Sequence, residues 1–442
     1  MPTPSPSAEP ATPARATLVR AIGRWSLTAT IVNSVIGSGI FGMPAAVAAL
    51  VGAGSPWAVL AAGAGIFLVV LCFAEVASRF EDAGGPYLYT RTAFGSTVGF
   101  HVGWLQVWTR LLSGAAVLNV LVSYFALVVP AAGTPTGRVV TMVVGMTLVT
   151  AINVVGVQQA AWTVNAFTIA KLLPLLALVG FGMLHLDDAV LATQAVATPD
   201  WTEAILLLVF AYGGFESGVL AAGETRDPRR DSAFALIAGM TAVTLVYCLV
   251  QLTVVGVLPN AAKDAAPVAA AIGVLLGDIG RALGGIAVVI SVYGWLTGFA
   301  LMTPRLVFAM GERHELPPAL ARVHPRFRTP DRAIVVNSAI ALALGLFTNF
   351  TQVATLAAIT RLSIYALVCA SLLVLRRRDA TPPGFRLPGG PVIAVLGIAF
   401  SGWLLTTRNL TQAWMLVALM LVGALLRAAT QRFAGPVSVT GP

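Results

Sequence analysis

Charge is scarce in this chain. Only 10% of its 442 residues are Asp, Glu, Lys or Arg, while 57% are hydrophobic. A soluble globular domain carries about 25% charged residues, so that class is excluded and a polytopic membrane protein is implied. Cysteine is nearly absent. Cys72, Cys248 and Cys369 all lie inside apolar runs and form no C-x-x-C pair, which excludes a disulfide framework and a thiolate metal site. The four histidines, His101, His185, His314 and His324, are too scattered for zinc-ligand spacing; no metal and no cofactor are expected. The first 20 residues lack an apolar core and are rich in Pro, Ala, Ser and Thr. They read as a disordered cytoplasmic tail, not a cleavable signal peptide.

Long hydrophobic runs are plentiful. A hydrocarbon core of about 30 Å needs roughly 20 apolar residues per helix. Twelve spans emerge, the ninth of them short: 26–50, 56–78, 99–130, 139–157, 163–184, 201–222, 233–258, 282–304, 333–348, 353–375, 391–408 and 411–427. With the N-terminus inside, twenty Lys and Arg residues fall in cytoplasmic segments and four outside: Arg138, Lys263, Arg281 and Arg408. That bias is the positive-inside rule, and it places both termini in the cytoplasm. The net charge of +9 belongs to helix ends, so nucleic-acid binding is not expected.

The stretch "VIGSGIFGMP", Val35 to Pro44, puts Gly37, Gly39 and Gly42 at G-x-G-x-x-G spacing. A dinucleotide fingerprint needs a strand before it and an acid about 20 residues later; here the flanks are apolar and the later segment reads "AVLAAGAGIF". The nucleotide reading fails. Gly37-Ser38-Gly39 instead interrupts span 1 about 16 Å deep, close to the midplane. "FAYGGFESG" interrupts span 6 at Gly213-Gly214, at a similar depth. Spans 1 and 6 run in opposite directions, five spans apart. Paired glycine-broken helices in two inverted halves point to a transporter binding site, because freed backbone groups at mid-bilayer depth are tolerated where they line a cavity. A membrane enzyme would need catalytic groups, and there is no H-E-x-x-H; Ser217 in "GFESG" is misplaced for G-x-S-x-G. A channel does not need two broken helices.

"NSVIGSGIFGMP", "EDAGGPYLYTRTAFG", "FAYGGFESGVLAAGETRDPRRD", "PRLVFAMGERHELP" and "LRRRDATPPGFRLPGG" together resemble the amino acid–polyamine–organocation (APC) superfamily, across nearly the whole chain. The resemblance implies an all-α leucine-transporter (LeuT) fold of twelve helices, a 5+5 inverted repeat with discontinuous helices 1 and 6. Residues 21–184 and 201–378 form the two repeats, 389–432 two peripheral helices, and 433–442 a C-terminal tail. It implies a secondary-active amino acid permease of a bacterial inner membrane, working by alternating access with uptake or exchange, sodium-independent and open to proton coupling. A cationic amino acid or polyamine exchanger is the alternative.

Site residues follow from the same resemblance. Amides around Gly37, Ser38 and Gly39 suit a substrate carboxylate, since a helix N-terminus carries partial positive charge. Carbonyls of Val35 and Ile36, and of Phe210 through Ala211 to Gly213, suit its ammonium. Phe210 stands where arginine–agmatine exchangers have a lid tryptophan. Lys171, in "TIAKLLPLL", lies about 12 Å deep in span 5, where a lysine reads as functional or paired. In relatives with that lysine, the ammonium replaces sodium and ties helices 1, 5 and 8. Glu216 matches a carboxylate linked to gating or proton handling. Arg110 in span 3 and Arg361 in span 10 are too deep to be ignored and call for carboxylate or carbonyl partners. Tyr293 and Trp295 in span 8 are further pocket candidates. Glu75 and Arg79 share a helix face and form a local ion pair. Glu216 is the one acid near the pocket, which favours a neutral substrate.

Overall fold

In a computed structural model of the chain, the described residues are 23–80, 84–156, 161–218, 225–378 and 383–433. The predicted tails, 1–20 and all of 433–442 but Phe433, lie outside them. The helices in order are α1 (Arg24–Val35), α2 (Ser38–Val51), α3 (Ser55–Ala77), α4 (Gly85–Phe94), α5 (Ser96–Phe125), α6 (Pro135–Val155), α7 (Ala161–Gly182) and α8 (Asp188–Ala192). There follow α9 (Trp201–Ala211), α10 (Phe215–Gly218), α11 (Pro228–Val257), α12 (Pro267–Glu312), α13 (Asp331–Phe347), α14 (Phe350–Arg378), α15 (Gly390–Thr406) and α16 (Leu410–Phe433). Over its described residues each predicted span falls mainly on helix, with interruptions in spans 1 and 6; residue 157 and residues 219–222 of the predicted spans lie outside the described residues. Among the described residues seven helical stretches are long and apolar enough to cross a membrane, and shorter apolar helices include Trp201–Ala211 and Gly390–Thr406.

Local chemistry sets several starts. The Thr134 hydroxyl accepts from the Gly137 amide at 3.1 Å and Asp200 from the Glu203 amide at 2.9 Å; these side chains cap α6 and α9. Pro135 and Pro228 sit at the first position of α6 and α11, where a missing N–H costs nothing. One long helix is not continuous. Gly277 interrupts α12 with φ 72° and ψ −170°.

The bundle is apolar outside as well as inside. Phe347, Leu184, Ile279 and Leu410 are each more than 70% exposed, as lipid-facing side chains are and as a water-soluble surface rarely allows. The chain is a multi-pass helical membrane protein. The most completely buried stretches include α3, α5, α9 and α14. Tyr124, fully buried on α5, donates to the Phe41 carbonyl of α2 at 2.9 Å. The Thr109 and Thr360 hydroxyls meet at 2.8 Å between α5 and α14.

The predicted pair of Glu75 with Arg79 forms at 3.1 Å, within a larger cluster. The fully buried Glu75 carboxylate also accepts from Arg376 Nε at 2.8 Å, from Arg376 Nη2, and from the Leu387 amide at 2.9 Å. It thus joins α3, the end of α14 and the segment leading to α15. Removing one partner of a buried pair strands the other, at a cost of about 3–5 kcal/mol. Glu75→Ala is expected to destabilise detergent-purified protein by that order, read as a lower unfolding midpoint. An unchanged midpoint would show that the cluster does not hold these helices together.

Candidate functional site

The first break opens at Ile36, where ψ turns to 85° after α1. Gly37 follows at φ −124° and ψ −144°, and Ser38 already begins α2. The unwound link is therefore Ile36-Gly37, slightly earlier than Gly37-Ser38-Gly39. Gly39 has a different task, as a Cβ there would stand 2.7 Å from Ala211 Cα. Its lack of a side chain lets α2 lie against the end of α9. A Cβ on Gly37 would stand 3.3 Å from the Trp295 indole, and that ring stacks on Phe299 with centroids 5.9 Å apart. Trp295 thus borders the break from α12. Tyr293 is on the same helix, part-buried, and its carbonyl accepts from the Thr297 hydroxyl at 2.9 Å.

The second break spans Tyr212, Gly213 and Gly214, between α9 and α10. Gly214 has φ +117°, and a Cβ there would lie 2.5 Å from the Ser34 carbonyl oxygen. Only glycine suits that backbone and that approach. The two breaks pack directly on one another. Val35, Ile36, Ser38, Phe210 and Ala211 are all buried.

Breaking a helix in hydrocarbon leaves carbonyls that need donors. Three side chains supply them. Lys171, 8% exposed, donates from Nζ to the Asn33 carbonyl at 2.5 Å and the Ile36 carbonyl at 3.0 Å, linking α7 to α1. The hydroxyl of Tyr247, on α11, lies 2.8 Å from the Val35 carbonyl oxygen and 2.9 Å from that of Ala211. Arg361, on α14, donates from Nη1 to the Phe210 carbonyl at 3.0 Å and pairs through Nε with Glu216 at 3.3 Å. Several carbonyls expected to await an ammonium thus already have partners. Each retains a second lone pair.

Glu216 is drawn in from several sides. Besides Arg361 it accepts from the Gly214 amide at 2.9 Å and from the Tyr365 hydroxyl at 3.4 Å. Arg110 on α5 interacts electrostatically with both Glu216 and Arg361. The Arg361 guanidinium also fills the space over Gly213, where a Cβ would stand 1.9 Å from Cζ. It lies 5.8 Å from the Phe210 ring centroid. On its other side Phe210 meets Phe350 edge-on, with centroids 6.0 Å apart, and a Cβ on Gly42 would strike that same Phe350 ring at 2.5 Å. Sequence reasoning missed Tyr247, Tyr365 and Phe350. One signal was available for Tyr247, a hydroxyl near the middle of an apolar span.

Two broken helices packed on each other, their freed carbonyls met by buried cations and a tyrosine, define a membrane carrier of the broken-helix class. A model described as "Amino acid permease" matches residues 22–431, and the chain belongs to the amino acid permease family. It is similar to the serine/threonine exchanger SteT of Bacillus subtilis (strain 168), with 28% identity over 92% of this chain and 95% of the relative. It is also similar to two other proteins of that strain. These are a methylthioribose transporter (27%; 87% of this chain, 88% of the relative) and the branched-chain amino acid permease BcaP (26%; 93% and 94%). The APC resemblance is borne out, and the protein is an amino acid transporter rather than an enzyme.

Tyr247 is the only one of the three donors whose hydroxyl bridges both broken helices. Tyr247→Phe keeps the ring and removes that bridge, leaving a buried carbonyl short of a donor at about 1–3 kcal/mol. The expected result is several-fold weaker transport at unchanged yield of monodisperse protein, read by counterflow in proteoliposomes. Wild-type rates would remove Tyr247 from the site.

Proposed function

We propose that this protein is a sodium-independent, secondary-active carrier of amino acids with uncharged side chains. It works by alternating access in a bacterial inner membrane, with both termini cytoplasmic. The observation that carries the reading is the Lys171 ammonium on the Asn33 and Ile36 carbonyls. A fixed cation already serves the end of α1, where a sodium-coupled carrier would need a metal ion. On this reading the two inverted repeats are residues 21–184 and 201–378, with 389–432 peripheral.

The α-carboxylate is received at the start of α2 by the amides around Gly37, Ser38 and Gly39, which have no partner one turn earlier in their own helix. The ammonium shares the Val35 and Ala211 carbonyls with Tyr247, whose single hydroxyl proton serves one of them at a time. Phe210, backed by Phe350, covers the occupied site as its lid. Charge supports a neutral side chain over the cationic alternative. Arg110 and Arg361 act on one central carboxylate, Glu216, and Lys171 adds a third buried cation held by carbonyls alone, so a second positive charge on the substrate would add repulsion in a poorly screened interior. The exchanger named among the relatives makes exchange the favoured mode.

The test is counterflow of labelled amino acids in proteoliposomes, in sodium and in choline at constant ionic strength. Equal rates are expected for wild type, and Lys171→Ala should reduce transport far more than it reduces the yield of folded protein. Sodium-driven accumulation by wild type would overturn the reading.

A lid of aromatic rings should act on retention. Phe210→Ala is expected to speed release of bound substrate and raise the apparent KM several-fold, measured on the monodisperse fraction because emptying a buried ring site also costs about 3–5 kcal/mol of stability. Unchanged affinity and rate at normal expression would assign the covering role elsewhere.

A further inference from the structure

Lys171 and Arg361 occupy matching places in the chain. On the proposed division, α7 closes the first repeat as α14 closes the second. Lys171 lies ten residues after the first residue of α7, and Arg361 eleven after the first of α14. Each reaches the broken helix that opens its own repeat. Lys171 meets the last carbonyls of α1, and Arg361 the Phe210 carbonyl in the last turn of α9. The Asn33 and Ile36 carbonyls lie where α1 stops, the Phe210 carbonyl accepts from the Gly213 amide at 3.2 Å and keeps a second lone pair, and all of them carry the negative end of a helix dipole. A cation is the partner that both facts call for.

The geometry points to Arg361 as the counterpart of Lys171, a positioning residue that holds the carbonyl end of the second broken helix so that the site keeps its shape. The two cations hold their helices differently. An ammonium is a point charge, and Lys171 spends it on one side of its break. A guanidinium is a planar fork with five donors. Arg361 uses that fork on both sides of its break, with the Phe210 carbonyl before it and the Glu216 carboxylate after it. Gly213 lies beneath the fork, and a Cβ there would collide with Cζ. Glycine at 213 is therefore what lets the guanidinium span the break. Glu216 has two tasks that need separating: it balances a charge, and it fastens the far side of the gap.

The inference rests on the broken-helix reading but needs no substrate to test. Amide hydrogen exchange is measured on full-length protein in detergent, for wild type and for the Arg361→Met, Arg361→Lys, Lys171→Met and Arg361→Met/Glu216→Gln variants. Arg361→Met is expected to speed exchange at residues 210–215 by about tenfold while residues 35–38 stay within about twofold; Lys171→Met should do the reverse. Arg361→Lys keeps the charge and loses the fork, so it should fall between wild type and Arg361→Met at 210–215. The double variant decides between roles. If Arg361 merely offsets the Glu216 charge, neutralising both restores slow exchange, and that result would overturn the proposal. Persistent fast exchange supports it. Should Arg361→Met fail to fold, Arg361→Lys exchanging like wild type would overturn it equally. Sodium-dependent transport would refute the proposed function and leave these exchange results standing on their own.

Discussion

A backbone carbonyl in hydrocarbon must find a donor, because an unsatisfied one costs several kcal/mol. Much of the interior answers that single requirement. Two helices are broken deep in the bundle, where the carbonyls of Asn33, Val35, Ile36, Phe210 and Ala211 have acceptor capacity that their own helices do not fill. The donors come from three other helices: Lys171 on α7 serves Asn33 and Ile36, Arg361 on α14 serves Phe210, and the one hydroxyl proton of Tyr247 on α11 serves Val35 or Ala211. The breaks therefore do more than open a site. They tie α7, α11 and α14 to the centre of the bundle by hydrogen bonds that packing alone would not specify. Ridge-and-groove contacts between apolar helices tolerate sliding, and a lysine on two carbonyls does not.

Buried charge follows from the same requirement. A carbonyl helix end favours a cation, and a cation at mid-bilayer depth needs an anion or further dipoles. Glu216 meets that need on the second helix, held by the Gly214 amide and the Tyr365 hydroxyl as well as by Arg361. The first helix has no carboxylate in this role among the described residues, and Lys171 relies on carbonyl dipoles. Glu75 shows how differently an acid behaves near the end of the bundle. There it gathers Arg376, Arg79 and the Leu387 amide, joining segments far apart in the chain without touching the breaks.

The parts of this arrangement legible in the sequence are those with a chemical cost attached. A lysine in an apolar run, an arginine at mid-span and paired glycines at midplane depth are all expensive, so they stand out in one dimension. Lys171, Arg361, Gly213 and Gly214 were found that way, and the twelve spans followed from hydropathy and length. Residues whose role is relational were not legible. Tyr247 matters because its hydroxyl falls between two carbonyls from helices some 36 and 212 positions away in sequence. Phe350 matters because Gly42 makes room for its ring. Arg376 reads as one of three consecutive arginines at a helix end until Glu75 is seen beside it. Gly39 was legible as a glycine but not by its purpose. Its place against Ala211 is a packing fact, and only the link Ile36-Gly37 is unwound.

The two breaks are held unequally, and that bears on how a carrier of this kind can move. Arg361 and Glu216 clasp the second broken helix across its gap, so α9 and α10 are joined by a charge-assisted bond as well as by the chain. On α1 and α2, Lys171 contacts the Asn33 and Ile36 carbonyls, while α2 is held by Tyr124 on the Phe41 carbonyl and by the close approach of Gly39 to Ala211, with no ion pair across this break among the described residues. Alternating access needs one element to tilt while the site persists. A helix fastened on one side of its break can tilt at the cost of a few ammonium–carbonyl contacts. A helix clasped on both sides would also have to separate a buried ion pair, which is far more expensive. On the proposed alternating-access reading, the asymmetry makes the first broken helix cheaper to tilt than the second.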